Sequence, residues 1–98
     1  MADFCAAISA RAVLRVRYQG QVRVIEPHTH GWTSTGTEVL LVYQSEGPSA
    51  SGESEGWKTL HVAKFESVEV MDVAFLRARS TFDPAAPEVG RIHCQVPV

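Results

Sequence analysis

The stretch from Val13 to Ile25 constrains this chain most. It reads Val-Leu-Arg-Val-Arg-Tyr-Gln-Gly-Gln-Val-Arg-Val-Ile, with apolar and arginine residues alternating on both sides of a Gly-containing turn. Period-two alternation around a short glycine turn is a β-hairpin signal. Leu14, Val16 and Tyr18 fall on one face of its first strand, and Arg15 and Arg17 on the other. Strands are expected over 12–18 and 21–27. Pro27 suits an edge or a bend, because it has no N–H to give a ladder.

The neighbouring segments fit a small β domain. Residues 3–11 read as a short helix with Asp3 as cap and Phe4, Ala7 and Ile8 on one face. A helix this short has to dock, most simply over the end of a sheet. Residues 29–36 read as a polar turn containing Trp32. Thr37 to Tyr43 is apolar on both faces, as a central or covered strand would be. Ser45 to Gly56 is a Ser/Gly/Glu-rich connection that cannot supply a core. A fourth strand is expected over 57–62, a tight turn over 63–65, and a fifth strand over 67–73 with Val68 and Val70 inward. Beyond Ala74 the pattern weakens to extended chain, with one short edge strand from Arg91 to Val96. The reading is mainly β: a small five-stranded barrel over residues 12–75, a short N-terminal helix and an extended tail over 76–98, in a single domain spanning 1–98. A chain of 98 residues has material for one core.

Charge is uneven. Arg11, Arg15, Arg17 and Arg23 sit within one short stretch, whereas the whole chain is at −2 with a pI near 6.0. Bulk charge therefore does not make it a nucleic-acid binder, and any anion site must be local. Cys5 and Cys94 are the two cysteines, without a CxxC spacing. The compartment rule favours two reduced thiols in a cytoplasmic protein. The N-terminus has no positive region followed by a long apolar run, so no signal peptide is expected, and no apolar run is long enough to cross a membrane.

In order and spacing, Tyr18-x-Gly20-x-x-Arg23-x-x-x-Pro27, Gly36-x-x-Val39-Leu40-Leu41-Val42-Tyr43 and Lys58-x-Leu60-x-Val62-Ala63-Lys64-Phe65 resemble the WYL domain, an Sm-like (SH3-type) bacterial barrel. The likeness covers residues 5–75. The family's Trp-Tyr-Leu run falls on Glu38-Val39-Leu40, where only the leucine is kept. Its Arg-x-Phe-x-Leu-Asp-Arg-Ile segment falls on Lys58 to Phe65, where Lys58 and Lys64 keep the charges and Ala63 replaces the acid. The resemblance implies a sensor barrel that usually follows a winged helix-turn-helix and precedes a C-terminal extension. Neither flanking element is visible here, so a standalone version is expected. Its implied partner is an anionic ligand, either a nucleotide or single-stranded nucleic acid.

Candidate ligand-binding residues are Arg23, Lys58 and Lys64 as cations, Tyr18, Tyr43 and Trp57 as aromatic platforms, and His28 and His61 as polar contacts. His28 and His30 form an HxH pair that would share a face on an extended strand, with His61, His93 and Cys94 elsewhere in the chain. Two histidines do not define a metal site, so no metal or other cofactor is expected. No GxSxG, P-loop or nucleophile–base spacing occurs, and catalysis is not expected. The rival reading is an Sm-like assembly module, for instance a homodimer, joined through edge strands.

Overall fold

A computed structural model describes residues 3–47 and 55–97. Helix α1 (Phe4–Ser9) is followed by strands β1 (Ala12–Tyr18), β2 (Gln21–Trp32), β3 (Glu38–Glu46), β4 (Gly56–His61), β5 (Phe65–Ala74) and β6 (Arg91–Gln95). A single 3-10 turn, Val62–Lys64, joins β4 to β5. The six strands form one antiparallel sheet in the order β4-β3-β2-β1-β5, and β6 also pairs with β2.

The alternating stretch folds as its pattern demands. Leu14, Val16 and Tyr18 are buried, and Arg15 and Arg17 are exposed. The β1–β2 turn is tight: Gln19 and Gly20 both have positive φ, at 53° and 78°. That matches the two-residue primed turns whose twist suits a hairpin. Asp3 caps α1 by accepting a hydrogen bond at Oδ1 from the Ala6 N–H, and Phe4, Ala7 and Ile8 are its buried face.

β2 is longer than its sequence suggests. It runs through Pro27 and the expected turn to Trp32, so the turn shrinks to Thr33–Thr37, closed by the Thr33 N–H on the Thr37 carbonyl. Pro27 sits at a seam. On one side of β2 the ladder with β1 ends at Ile25, and the ladder with β6 begins at Thr29. The missing proline N–H thus falls where that edge of β2 changes neighbour. On the other side, Pro27 faces Val42 while Thr29 faces Leu41, which leaves one extra residue on β2. This bulge inverts the alternation for the rest of the strand.

The sheet is open rather than a closed barrel. No β4–β5 ladder closes it among the described residues. The consequence is visible on β5. Val68 and Val70 lie opposite Val16 and Leu14, yet Val70 is 64% exposed because no strand covers it. Inward alternation on β5 therefore does not bring burial.

The tail is not an appendage. Phe82, Val89 and Val96, with Phe75 just before them, are all in the core, and Phe75 and Phe82 pack on His28, on the sheet face opposite α1's contact with Phe65 and His30. The Phe75 N–H donates to the Arg11 carbonyl and the Val96 N–H to the His28 carbonyl. The two cysteines are also not free thiols: Cys5 of α1 and Cys94 of β6 form a disulfide. Nothing local in the sequence announces this pair, which is 89 residues apart and brought together by the β2–β6 ladder. Among the described residues no helix is long and apolar enough to cross a membrane.

Candidate functional site

Cross-strand register sorts the candidate residues onto two faces. Val16 faces Arg23, Ile25 faces Gln44, and Val42 faces Lys58. Tyr18, Arg23, Gln44 and Lys58 thus share the face of Leu14, Val16 and Ile25. Glu26 faces Tyr43, which faces Trp57. These lie on the other face, under the tail.

On the first face the centre is Arg23. It is only 5% exposed. Its Nη1 donates to Gln44 Oε1 at 3.2 Å, and its guanidinium lies 5.1 Å from the centre of the Tyr18 ring. Its Nε is buried with no hydrogen-bond partner. Among the described residues no carboxylate pairs with it. Tyr18 is itself buried, edge-on to Phe65 at 5.3 Å, and its hydroxyl accepts from the His61 N–H at 3.0 Å. Arg23, Tyr18 and the His61 backbone are therefore brought together. Lys58 stands level with Val42, whereas Arg23 lies next to the Val24–Glu46 pair. Lys64 is exposed at the end of the 3-10 turn. The register thus separates Arg23 from Lys58 along the sheet.

The second face holds a denser cluster. His28 is fully buried. It stacks on Phe75 at 5.0 Å and meets Trp57 and Phe82 at 4.8 and 5.1 Å. Glu26 accepts two hydrogen bonds from Arg79, each at 2.8 Å. Arg79 also lies over the Tyr43 ring at 4.0 Å. The Tyr43 hydroxyl donates to Glu55, which pushes its pKa up. Trp57 Nε1 donates to Thr81. The ring faces that would stack a base are thus occupied from within. Arg79, Phe75 and Phe82 follow neither the helical nor the strand period, so their spacing in the sequence does not mark them. Glu26, two residues before His28 on the same strand, is a local cue to this cluster.

The two histidines of the HxH pair do not share a face. The bulge after Pro27 puts His28 under the tail and His30 across from Leu40 and Cys94, against Phe4. Trp32 ends β2 with Arg91 above its ring at 4.6 Å.

His28 makes the fold sensitive to pH. Its Nδ1 hydrogen-bonds the Glu26 carbonyl at 2.8 Å, and its Nε2 meets the Arg79 backbone N–H at 3.2 Å. That assigns the neutral tautomer with Nδ1–H donating and Nε2 accepting. Protonation would set two N–H groups against each other. Burial lowers the His28 pKa from its usual 6.5, outweighing the opposite pull of the Glu26 carbonyl and charge, and the Arg79 charge also lowers it. With the folded value depressed, the unfolded chain takes up the proton first as pH falls through the usual imidazole value. Stability from this residue is then lost below that point until the folded value is reached. Melting midpoints should fall between about pH 7.5 and about pH 5.5, and His28→Gln should flatten that slope. An unchanged slope in the variant would assign the pH dependence to other groups.

No family model, curated protein or solved structure matches the chain.

Proposed function

We propose that the chain is a non-enzymatic binding module for an anionic ligand, with Arg23 as its anchor. The carrying observation is a guanidinium 5% exposed whose Nε is unpartnered and which has no carboxylate beside it among the described residues. A buried charge without a counter-charge is costly, and a phosphate oxygen would offset it. The face supplies Gln44 as a polar neighbour and Lys58 further along. Because Tyr18 is buried and Tyr43 is covered by Arg79, base stacking has little surface. A nucleotide phosphate suits the site better than single-stranded nucleic acid. The reading includes a regulatory role; its cytoplasmic part rests on reduced thiols, and the Cys5–Cys94 disulfide removes that ground.

The Sm-like part of the reading rests on connectivity. A meander of five strands whose first pairs with both its second and its fifth needs only a β4–β5 ladder to become a barrel. Together with the motif order quoted above, this supports kinship with the WYL domain.

Fluorescence anisotropy with labelled nucleotides and short oligonucleotides, at two salt concentrations, tests the proposal. Salt-sensitive binding that falls at least tenfold in Arg23→Gln is expected. No binding to the whole panel at low salt removes it.

A second reading is self-assembly. On β5, Val70 and Val73 are 64% and 57% exposed. A groove of about 580 Å³ between α1 and β5 is lined by Phe4, Ala7, Val62, Phe65 and Val68. Light scattering that shows a monomer at high concentration would count against it.

A further inference from the structure

We infer that the reduced protein binds a zinc-class divalent cation through Cys5, Cys94 and His30, and that the Cys5–Cys94 disulfide is the closed state of this site. The ligand atoms of these three residues all lie within 4.8 Å of one another. They come from three separate elements, α1, β6 and β2, and His30 stands directly opposite Cys94 in the ladder. Bonds of about 2.0–2.3 Å to nitrogen and sulfur put tetrahedral ligands roughly 3.5–3.8 Å apart, a spacing small side-chain shifts reach from here.

His30 is oriented for the role. Its Nε2 lies 2.6 Å from Glu38 Oε2, and its Nδ1 lies 4.0 Å from Cys5 Sγ. With the proton on Nε2 and donated to the carboxylate, the Nδ1 lone pair points at the sulfurs. A carboxylate holding the far nitrogen of a histidine is the usual support for a metal-ligating imidazole. The His30 side chain is 11% exposed, so the orientation is held by packing. The site opens on a cavity of about 360 Å³ lined by Asp3, Phe4, Cys5, His30, Glu38, Val62 and His93. The His93 ring lies edge-on to His30, with centres 5.4 Å apart. His93 or water completes the tetrahedron from that side. Two thiolates and a neutral imidazole balance the charge of one divalent ion and fit zinc by ligand softness.

The switch balances through a dithiol reductant. Its two sulfurs become a disulfide, and their two electrons and two protons convert the Cys5–Cys94 bond into two thiols. Metal binding then releases both thiol protons, with no change of oxidation state at zinc.

The full chain is reduced with a phosphine, freed of reductant under anaerobic conditions, and titrated with Co²⁺ and then Zn²⁺. One equivalent of cobalt should give the visible bands of a tetrahedral site and a thiolate charge-transfer band, both lost when zinc displaces it. The oxidised protein should give neither. Cys94→Ser should abolish the charge-transfer signature of the pair. Glu38→Gln keeps all three ligands and should weaken binding roughly 10- to 100-fold. Circular dichroism is recorded throughout. A reduced chain that unfolds and is refolded by zinc supports the inference. The absence of stoichiometric cobalt binding, unchanged binding in Glu38→Gln and His30→Ala, or a reduced chain that zinc neither binds nor refolds overturns it.

Discussion

A chain truncated after Phe75 should not fold. Removing residues 76–98 deletes Phe82, Val89 and Val96, which are buried to 8%, 7% and 1% exposure. Each such side chain contributes about 1.5–3 kcal/mol by burial alone. Together they match the stability of an ordinary small domain, about 5–15 kcal/mol. The deletion also removes Arg79 from a Glu26 carboxylate that is 9% exposed, so that charge loses its partner. It uncovers His28 and takes away the β6 ladder and the disulfide. Far-ultraviolet circular dichroism and a proton NMR spectrum of the truncated chain should show an unfolded ensemble. A cooperative melt near that of the full chain would mean that the tail only decorates a domain complete without it.

Gly31→Ala should be the most damaging single-methyl change. A Cβ at Gly31 would overlap the Arg91 carbonyl oxygen and lie 2.7 Å from Val89 Cγ1. The Gly31 φ is not in the left-handed region, so the cost is one of space, not of backbone conformation. The obstructing oxygen belongs to the paired strand, and a backbone atom cannot step aside as a side-chain tip can. Gly31 faces Ile92 at the register shift in the β2–β6 ladder. Relief therefore requires β6 to lift. Overpacking of this kind costs about 1–3 kcal/mol, and lost ladder hydrogen bonds add about 1 kcal/mol each. A loss near 3 kcal/mol is expected by denaturant titration, with the fastest amide exchange gained at residues 91–95. A variant as stable as the parent would show that the strands can part there at no cost.

What the sequence makes legible follows from local rules. Alternation between Leu14 and Tyr18 gives both the strand and its buried face, because side-chain direction in a strand has period two. The apolar run from Val39 to Val42 betrays a strand covered on both sides. Pro27 signals an interruption, and the structure supplies its meaning as a seam between two partners. What stays hidden is set by single-residue events and by distance along the chain. One extra residue after Pro27 sends His28 and His30 to opposite faces, and no composition signal marks a bulge. Phe75, Phe82, Val89 and Val96 are spaced by no structural period, since they come from a segment without regular structure for most of its length. Their role is visible only once the sheet they cover exists. The expected barrel fails at one ladder, and β5 shows the outcome in the exposure of Val70. The candidate site was legible in its residue types, and Arg23 and Tyr18 do meet. How deeply they are buried could not be read from spacing.

The bond between Cys5 and Cys94 has a topological consequence. It joins residues 89 apart whose Cα atoms are 5.8 Å from each other, so the chain between them is a covalent ring. One peptide break anywhere in that ring leaves a single molecule. A cut in the turn between β2 and β3, for example, turns the domain into a permuted copy of itself, running from β3 through the bridge back to β2. Under reducing conditions the same cut yields two separate chains, held together by the sheet alone.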